Sequence, residues 1–557
     1  MTSSSHSTPE DWRAIATRHR ANLDAQIPAE WRLTAEFRAS LPADGRLLQA
    51  DPIRKSGILT ESELDITENY SAAQLLQRLK WGDVSSVDVT TAFCKRAAVA
   101  GQLTNCLTEH FFSRALERAQ YLDEYLKRER KVVGPLHGLP ISLKDSFCLE
   151  GIPTTVGYVS FLKNGPAKEN SALVNLLLDL GAVLYVKTNI PQTMMTADSE
   201  NNIYGRTLNP HNTSLTAGGS TGGEGALQAL RGSLLGVGTD IAGSVRIPAL
   251  CCGVYGFKPT SNRVPFGGQV SGYMAGIPGI EPSAGPLGQS IDDIELFMMT
   301  VLSGETWRYD SYSASAPWGG SIPADRRVEG RLLTIGILPE DPQYPLHPPV
   351  RRALTSAIDA LRKKGHRLIH LPLPQTDNNT SIAYASRLAW QYFTYSPFIN
   401  HMAPSGEPPI TSVAKGASPL FTGELPISEE DIFKKISALH LARRDYGDFW
   451  RKTWTEYSLD VVLAPGAQNT AVPHDTYAWP PYTLMWNLVD YPAIIIPYGK
   501  ASAELDPETL VLKDGVQPSY NPEVVNGAPC ALQVVAPRFQ DERCLSAARI
   551  IDRDIRL

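Results

Sequence analysis

Cysteine is scarce in this chain, and its spacing fits neither a metal site nor a disulfide framework. The 557 residues contain seven cysteines, an odd number, and no two of them form a C-x-x-C pair. Zinc and dithiol redox sites are typically built on such pairs, so we predict neither. Sparse, unpaired thiols are typical of a cytosolic protein, where thiols stay reduced. We expect no metal and no cofactor.

Long apolar runs are also missing. No stretch reaches the roughly 18 consecutive apolar residues that a membrane-spanning helix needs. The first residues, MTSSSHSTPEDWRAIATRHRAN, contain no apolar core of the kind found in secretory signals. We therefore expect a cytoplasmic location and no transmembrane segment.

The chain has no large excess of charge of either sign. It contains 52 Lys and Arg against 58 Asp and Glu, which gives a formal net charge of −6. Such a balance provides no basic surface for nucleic acid or for an anionic membrane, so neither partner is expected. Hydrophobic residues make up 43% and charged residues 20%, proportions that are typical of a soluble globular protein.

What the sequence does contain is an alternation of helical segments with short apolar strands. Segments 170–188 and 350–374 each predict a helix, a glycine just past its end (Gly181 or Gly365), and then a strand. Further strands are predicted at LLTIGILP (332–339), LDVVLAP (459–465), YPAIIIPYG (491–499) and CALQVVAP (530–537). Short strands that are apolar throughout predict an α/β fold whose sheet is covered by helices on both faces.

Other stretches differ from this alternation. Residues 9–40 predict a polar helical arm, followed by a connector to about residue 60, and residues 71–130 have a helical period. Three irregular segments, 305–330, 403–428 and 500–529, predict loops of the kind that form lids or the walls of a site.

Glycine and serine concentrate in 218–246, GGSTGGEGALQALRGSLLGVGTDIAGSVR. Its G-x-x-x-x-G spacing resembles a phosphate loop, but Glu224 stands where that loop needs lysine, and a carboxylate would repel phosphate. Ser220 also fits G-x-S-x-G, yet a polar segment, not a strand, precedes it, and the candidate partners His401 and His474 carry no further signature. A glycine-rich turn with no chemical role is a third interpretation.

A fourth interpretation combines two serines with a lysine. Ser220 and Ser244 lie 24 positions apart, and a helix-like ALQALRG and a strand-like SLLGVG between them can fold back and bring the two together. The residues before Ser244 offer successive backbone N–H groups, as an oxyanion hole requires. Lys144 ends the apolar run ISLK, and burial would lower its pKa towards that of a base. The adjacent Asp145 should point to the opposite face of the strand.

These residues also carry a family resemblance. GGSTGGEGAL, GTDIAGSVRIPA and GVYGFKPT within 218–260, with HGLPISLKDSF at 137–147, resemble the defining segments of the amidase signature family. Its later elements are similar to EPSAGPLGQSIDDIEL (281–296), YTLMWNLVDYPAIIIPYG (482–499) and ALQVVAPRFQDE (531–542). Because Glu224 follows the paired glycines, the chain resembles the fungal acetamidase-like branch, which is related to the fatty acid amide hydrolases.

The resemblance implies an architecture and a set of roles. Together with the residue pattern of the first 60 positions, it predicts a helical arm and connector at 1–60 and a single large domain at 61–557, with a large mixed sheet between helices. Lys144 would be the base, Ser220 the bridging serine, on a cis peptide bond, and Ser244 the nucleophile. The implied oxyanion and substrate-binding residues are Ile241, Ala242, Gly243 and Met194. No cofactor is implied, and a homodimer is expected.

The chain departs from the family pattern at three positions. Ala242 stands where many relatives have glycine, so strain would follow if that position required a positive φ. Gln289 replaces the usual arginine and Thr221 the usual serine. Neither carries a proton in the implied relay, so we expect both to be tolerated.

The resulting functional prediction is an amidase that hydrolyses small aliphatic or aryl carboxylic amides through an acyl-enzyme. Two alternatives stay open. One is a serine esterase or lipid-amide hydrolase, the esterase with a Ser220–His–Asp triad, and the other is a non-catalytic amidotransferase-type subunit. Arg246 is expected to pair with Asp240 and not to hold substrate, and His366 and His370 are expected to be structural.

Overall fold

The structure is a computed structural model, and it describes residues 11–272, 279–314, 316–319, 331–372, 379–394, 398–416, 427–512 and 517–557. The three predicted loop segments lie partly outside these residues. None of the helices in the described ranges combines the length and hydropathy needed to cross a bilayer.

Thirteen strands occur among the described residues. They are β1 (Leu107–His110), β2 (Pro140–Lys144), β3 (Val183–Thr188), β4 (Glu200–Asn201), β5 (Gly205–Arg206), β6 (Leu235–Asp240), β7 (Tyr255–Lys258), β8 (Ser283–Gly288), β9 (Thr334–Ile337), β10 (Arg367–His370), β11 (Val461–Pro465), β12 (Ala493–Lys500) and β13 (Pro529–Val535). Strands β4 and β5 form a separate small hairpin.

The α-helices of the described residues surround these strands. They are α1 (Trp12–Gln26), α2 (Ala35–Ala39), α3 (Leu47–Ala50), α4 (Pro52–Lys55), α5 (Glu61–Glu68), α6 (Ala72–Trp81), α7 (Ser86–Thr104), α8 (Phe112–Glu129), α9 (Ala172–Asp179), α10 (Gly222–Ala229), α11 (Arg246–Cys252), α12 (Ile291–Ser303), α13 (Pro348–Lys363), α14 (Ile382–Phe393), α15 (Thr411–Gly416), α16 (Ile432–Tyr457), α17 (Pro481–Leu488), α18 (Pro522–Val525) and α19 (Asp541–Arg556).

Eleven strands form one mixed sheet in the order β1-β3-β2-β6-β8-β7-β12-β13-β11-β9-β10. The trios β3-β2-β6 and β11-β9-β10 are parallel, and the remaining neighbours are antiparallel. Every residue of β2, β3, β8, β11 and β13 is buried. Because successive side chains of a strand point to opposite faces, both faces of the sheet are covered, and the predicted α/β fold is confirmed.

The glycines that end helices behave as the sequence predicts. Gly181 follows α9 with φ 93°, and Gly365 follows α13 with φ 90°. Glycine takes this left-handed region without a Cβ penalty, so the chain can leave the helix and enter β3 or β10. The helical prediction for 71–130 is wrong at β1, where Asn105 ends α7 with φ 55° and three residues pair with β3. So short an edge strand leaves little periodic signal.

The sheet order positions the candidate site. Strands β2 and β6 are parallel neighbours, so their carboxyl ends meet at one edge. That edge holds Lys144, the last residue of β2, and Asp240, the last residue of β6. The chain leaves β6 through residues 241–245 and enters α11, which brings Ser244 to the same edge.

Candidate active site

Lys144 is fully buried, and its ammonium group is held by hydroxyl oxygens. Its side chain has no exposed area. Its Nζ donates to Ser220 Oγ over 2.7 Å and to Thr239 Oγ1 over 2.8 Å. No carboxylate forms a salt bridge with Lys144 within the described chain, so this buried amine is solvated by neutral groups only.

Burial lowers the pKa of Lys144 to about 7, while the more distant carboxylates of Asp240 and Asp145 oppose this shift. Asp145 faces away, as the strand alternation predicts, and its Oδ1 lies 3.4 Å from Nζ of the buried Lys187. Its Oδ2 accepts from the N–H of Val156 over 2.8 Å. Because Asp145 is committed to these partners, it does not pair with Lys144.

The loop that carries Ser244 is folded around the carboxylate of Asp240. That carboxylate accepts from the N–H of Gly243 over 2.8 Å and from the N–H of Val245 over 3.2 Å. The guanidinium of Arg246 donates to it over 3.0 Å. Burial raises the pKa of Asp240, but the charge and hydrogen bonds of Arg246, together with its other partners, more than offset this effect and hold the pKa well below its usual range. The expected pairing of Arg246 with Asp240 is present.

The backbone donors beside Ser244 are fewer than the sequence predicts. The Gly243 N–H is committed to Asp240 Oδ1. The N–H groups of Ile241, Ala242 and Ser244 have no hydrogen-bond partner among the described residues. Gly243 carries a φ of 124°, whereas Ala242 is not among the residues with positive φ, so the strain considered for Ala242 does not arise.

The two serine segments touch through their backbones. The N–H of Thr221 donates to the carbonyl oxygen of Ser244 over 3.2 Å. The Gly219–Ser220 peptide bond is cis. Ser220 and Ser244 both line a cavity of about 40 Å³, together with Thr239. Ser244, at 8% exposure, opens onto this cavity as well as onto a larger one of about 290 Å³.

Met194, in the short 3₁₀ helix Gln192–Met194, lines both cavities, as does Ile241. Ala242 lines the larger one. The residues predicted for catalysis and substrate binding therefore lie together at one edge of the sheet. The Gly243 N–H differs from the prediction, because it points to Asp240 and not into a cavity.

The other interpretations of the glycine-serine segment lack support in the geometry. Glu224 is buried and accepts from Ser142 Oγ, and its burial raises its pKa to about 7. Nδ1 of His474 lies 3.3 Å from the Asp198 carboxylate, and its Nε2 lies 3.0 Å from the main-chain oxygen of Thr213, so neither ring nitrogen contacts a serine. No strand precedes Ser220 directly, and no histidine lines either cavity within the described residues.

The structure also adds residues that the sequence analysis missed. Thr239 contacts Lys144, and Thr483 donates to the Ala242 oxygen over 2.7 Å. Trp390 and Trp479 form part of the larger cavity. The sequence signal for Thr239 was its position in the triplet GTD (238–240), directly before the loop that carries Ser244. The other three come from distant helices and loops, and no local pattern indicates them.

His366 is structural, as expected, because Nδ1 accepts from the Leu333 N–H and Nε2 contacts Asp554. All seven cysteines are buried and free. Among the residues that the structure describes, no cluster of His, Cys, Asp and Glu is arranged to hold a metal ion.

Comparison with known proteins agrees with this geometry. The model of the Amidase family matches residues 88–545. An "Amidase" of Gibberella moniliformis is 42% identical over 97% of this chain and 98% of its own length. An "Acetamidase" of Emericella nidulans is 37% identical over 98% of each chain.

Solved structures lead to the same family. A "Fatty acid amide hydrolase" superposes with a TM-score of 0.86 at 32% identity, over 98% of this chain and 96% of that one. A bacterial aryl acylamidase at 22% identity, with a TM-score of 0.67, shares the fold. The chain therefore belongs to the amidase signature family and is a hydrolase that acts on the C–N bonds of amides.

Proposed function

We propose that the chain hydrolyses small aliphatic or aryl carboxylic amides to a carboxylate and ammonia or an amine, with Lys144, Ser220 and Ser244 as a proton relay. One observation carries the proposal. A fully buried lysine, without a carboxylate partner in the described chain, lies 2.7 Å from Ser220 Oγ in the wall of the cavity that also holds Ser244.

The chemistry follows from the pKa of the lysine. An amine with a pKa of about 7 is partly neutral at neutral pH, so it can accept a proton from Ser220 while Ser220 accepts that of Ser244. Ser244 then attacks the amide carbonyl and forms an acyl-enzyme. The protons return through Ser220 to the leaving nitrogen, and water hydrolyses the ester by the same route.

The developing oxyanion needs fixed donors at the nucleophile. We assign this role to the N–H groups of Ile241, Ala242 and Ser244, which have no partner within the described residues. Gly243 is assigned the role of shaping the loop, because its N–H already donates to Asp240.

The substrate range rests on the relatives and on the cavity. The acetamidase of Emericella nidulans points to small amides. Met194 lines both cavities and is assigned to substrate contact. A cytoplasmic location, a homodimer and a division of the chain into an arm at 1–60 and a domain at 61–557 stay predictions.

The test combines covalent labelling with turnover. Wild-type protein should react with a fluorophosphonate probe and hydrolyse acetamide or benzamide. Ser244→Ala should abolish labelling and lower kcat by at least about a thousandfold, and Lys144→Met should have a comparable effect. Ser386→Ala is the matched control, since this buried serine bonds to the Ala383 oxygen outside both cavities.

The alternatives predict different outcomes. An esterase with a histidine base would survive Lys144→Met but lose activity in His474→Ala. A non-catalytic subunit would neither label nor turn over any amide. Equal rates for wild type and Ser244→Ala would overturn the proposal.

A further inference from the structure

Two cavities of very different size meet at Ser244. The larger, of about 290 Å³, and the smaller, of about 40 Å³, share Met194, Ile241 and Ser244 in their walls. A substrate whose carbonyl lies at Ser244 has space for one substituent in each cavity, so the two cavities can limit the acyl group and the leaving group separately.

The wall of the larger cavity is more apolar than polar and includes several aromatic rings. Its apolar residues include Ile247, Trp390, Phe393, Trp479 and Leu484. The rings of Trp390 and Trp479 pack edge to face, with centroids 4.8 Å apart. Such walls bind flat apolar groups through burial and ring contacts.

The charged residues of this wall are partnered within the protein. Lys415 Nζ donates to the main-chain oxygen of Asp475 over 2.9 Å. The Asp475 carboxylate accepts from Arg206 over 2.7 Å. The charge of Asp475 is therefore compensated by Arg206, and the ammonium group of Lys415 is held by a carbonyl oxygen.

An acetyl group would fill little of this space. A water molecule occupies roughly 30 Å³ of liquid, and a methyl group is of similar size, so the larger cavity can hold several times as much. Each buried methylene contributes about 0.8 kcal/mol, and a ring system would gain this contribution several times over.

The smaller cavity lies on the side of the relay. Among the described residues, Ser220 lines only this cavity. The leaving nitrogen receives its proton from Ser220, so it must lie here and not among the tryptophans. Ser146 donates to Gln269 Oε1 over 2.9 Å in the same wall, which combines polar and apolar side chains.

We propose that the site is selective for primary amides of ring-bearing apolar acids, with ammonia as the leaving group, an inference that rests on the proposed function. Space of about 40 Å³ is sufficient for a molecule the size of ammonia or water and is smaller than an aryl amine. The Ser244 oxygen bonds to the carbonyl carbon, the C–N bond breaks, and nitrogen gains the Ser244 proton. Water then enters the smaller cavity and releases the carboxylic acid.

Four amides test this selectivity. We expect kcat/KM for 2-phenylacetamide and 1-naphthylacetamide to exceed that for acetamide at least about a hundredfold, because ring burial in the larger cavity stabilises the transition state. The anilide of phenylacetic acid should be cleaved at least about a hundredfold more slowly than 2-phenylacetamide, because its leaving group exceeds the smaller cavity.

Substitutions in each wall separate the two limits. Ala478→Leu fills the larger cavity and should lower the ratio of phenylacetamide to acetamide kcat/KM at least about tenfold. Ala442→Leu, a half-buried helical position outside both cavities, should leave the ratio unchanged. Phe266→Ala widens the smaller cavity and should raise anilide cleavage relative to 2-phenylacetamide, whereas Phe449→Ala, beside a separate cavity, should not.

Binding to the Ser244→Ala protein separates this inference from the proposed function. Calorimetry should show 2-phenylacetamide binding at least about tenfold more tightly than acetamide, whether or not the relay is correct. An active enzyme that prefers acetamide, or that cleaves the anilide as fast as the primary amide, would overturn the inference and leave the hydrolase intact. A protein that neither hydrolysed any amide nor reacted with the fluorophosphonate probe would overturn the proposed function. If 2-phenylacetamide and acetamide also bound equally well, the inference would be overturned too.

Discussion

At the scale of single residues, the environment of Lys144 decides its chemistry. A lysine in water stays charged at neutral pH. Lys144 is buried, and its nearest partners are hydroxyl oxygens, so no carboxylate in direct contact compensates for the loss of hydration. Lys187 is equally buried, but Asp145 lies 3.4 Å away. Lys258, which is also fully buried, lies 3.3 Å from Asp490, so of these three lysines Lys144 alone has no carboxylate partner among the described residues.

The pH dependence of the reaction should report this lysine. The neutral form is required, and its fraction rises as pH increases through the pKa of about 7. We expect kcat/KM to increase about tenfold per pH unit below 7 and to level off above about 8. The measurement is hydrolysis of 2-phenylacetamide between pH 5 and 10. A flat profile, or one that falls above pH 7, would contradict a lysine base.

At the scale of elements, the loop between β6 and α11 depends on one glycine. Gly243 has a φ of 124°, and a Cβ there would overlap Thr483 Oγ1. Thr483 also bonds to the Ala242 oxygen, so it has little freedom to withdraw. The shape of the loop, and with it the direction of the neighbouring N–H groups, requires glycine at 243 and not at 242.

Exchanging the two small residues tests this requirement. Gly243→Ala should lower the free energy of unfolding by about 1–3 kcal/mol through backbone strain, with a further loss from the clash. It should also slow fluorophosphonate labelling of Ser244 at least about tenfold. Ala242→Gly should cost less than about 1 kcal/mol and keep most of the labelling rate. Denaturant unfolding and labelling kinetics measure both, and equal effects at the two positions would argue against the assignment.

At the scale of the whole molecule, Arg246 ties the site to the distant part of the chain. Its guanidinium contacts Asp240, the Thr483 oxygen, Asn487 Oδ1 of α17 and Gln533 Oε1 of β13. These partners lie up to 287 positions away. One buried cation therefore holds together the nucleophile loop and two elements from the last quarter of the chain.

Removing that cation should destabilise the protein strongly. Arg246→Met leaves the Asp240 charge buried without its cationic partner, and the free energy of unfolding should fall by about 3–5 kcal/mol. Arg362→Met is the matched control, because its pair with Asp359 is exposed and should contribute less than about 1 kcal/mol. Urea unfolding compares them, and similar losses would show that Arg246 is not the connection described.

Local sequence determined the elements of this protein and the chemistry of its residues. Alternating helices and apolar strands predicted the α/β class, and Gly181 and Gly365 marked where helices end, because period and backbone freedom are properties of neighbouring residues. The motifs around Lys144, Ser220 and Ser244 nominated the site because the chain keeps these residue types at fixed positions within short segments.

Only the tertiary structure decided how those segments meet. The strand order places β2 beside β6, so Lys144 and the Ser244 loop share one edge although they lie about a hundred positions apart. It places Thr483 against the Ala242 oxygen and brings Trp390 and Trp479 together as one wall. These features arise from packing between elements that are remote in the chain, and neither period nor spacing along a sequence carries information about such contacts.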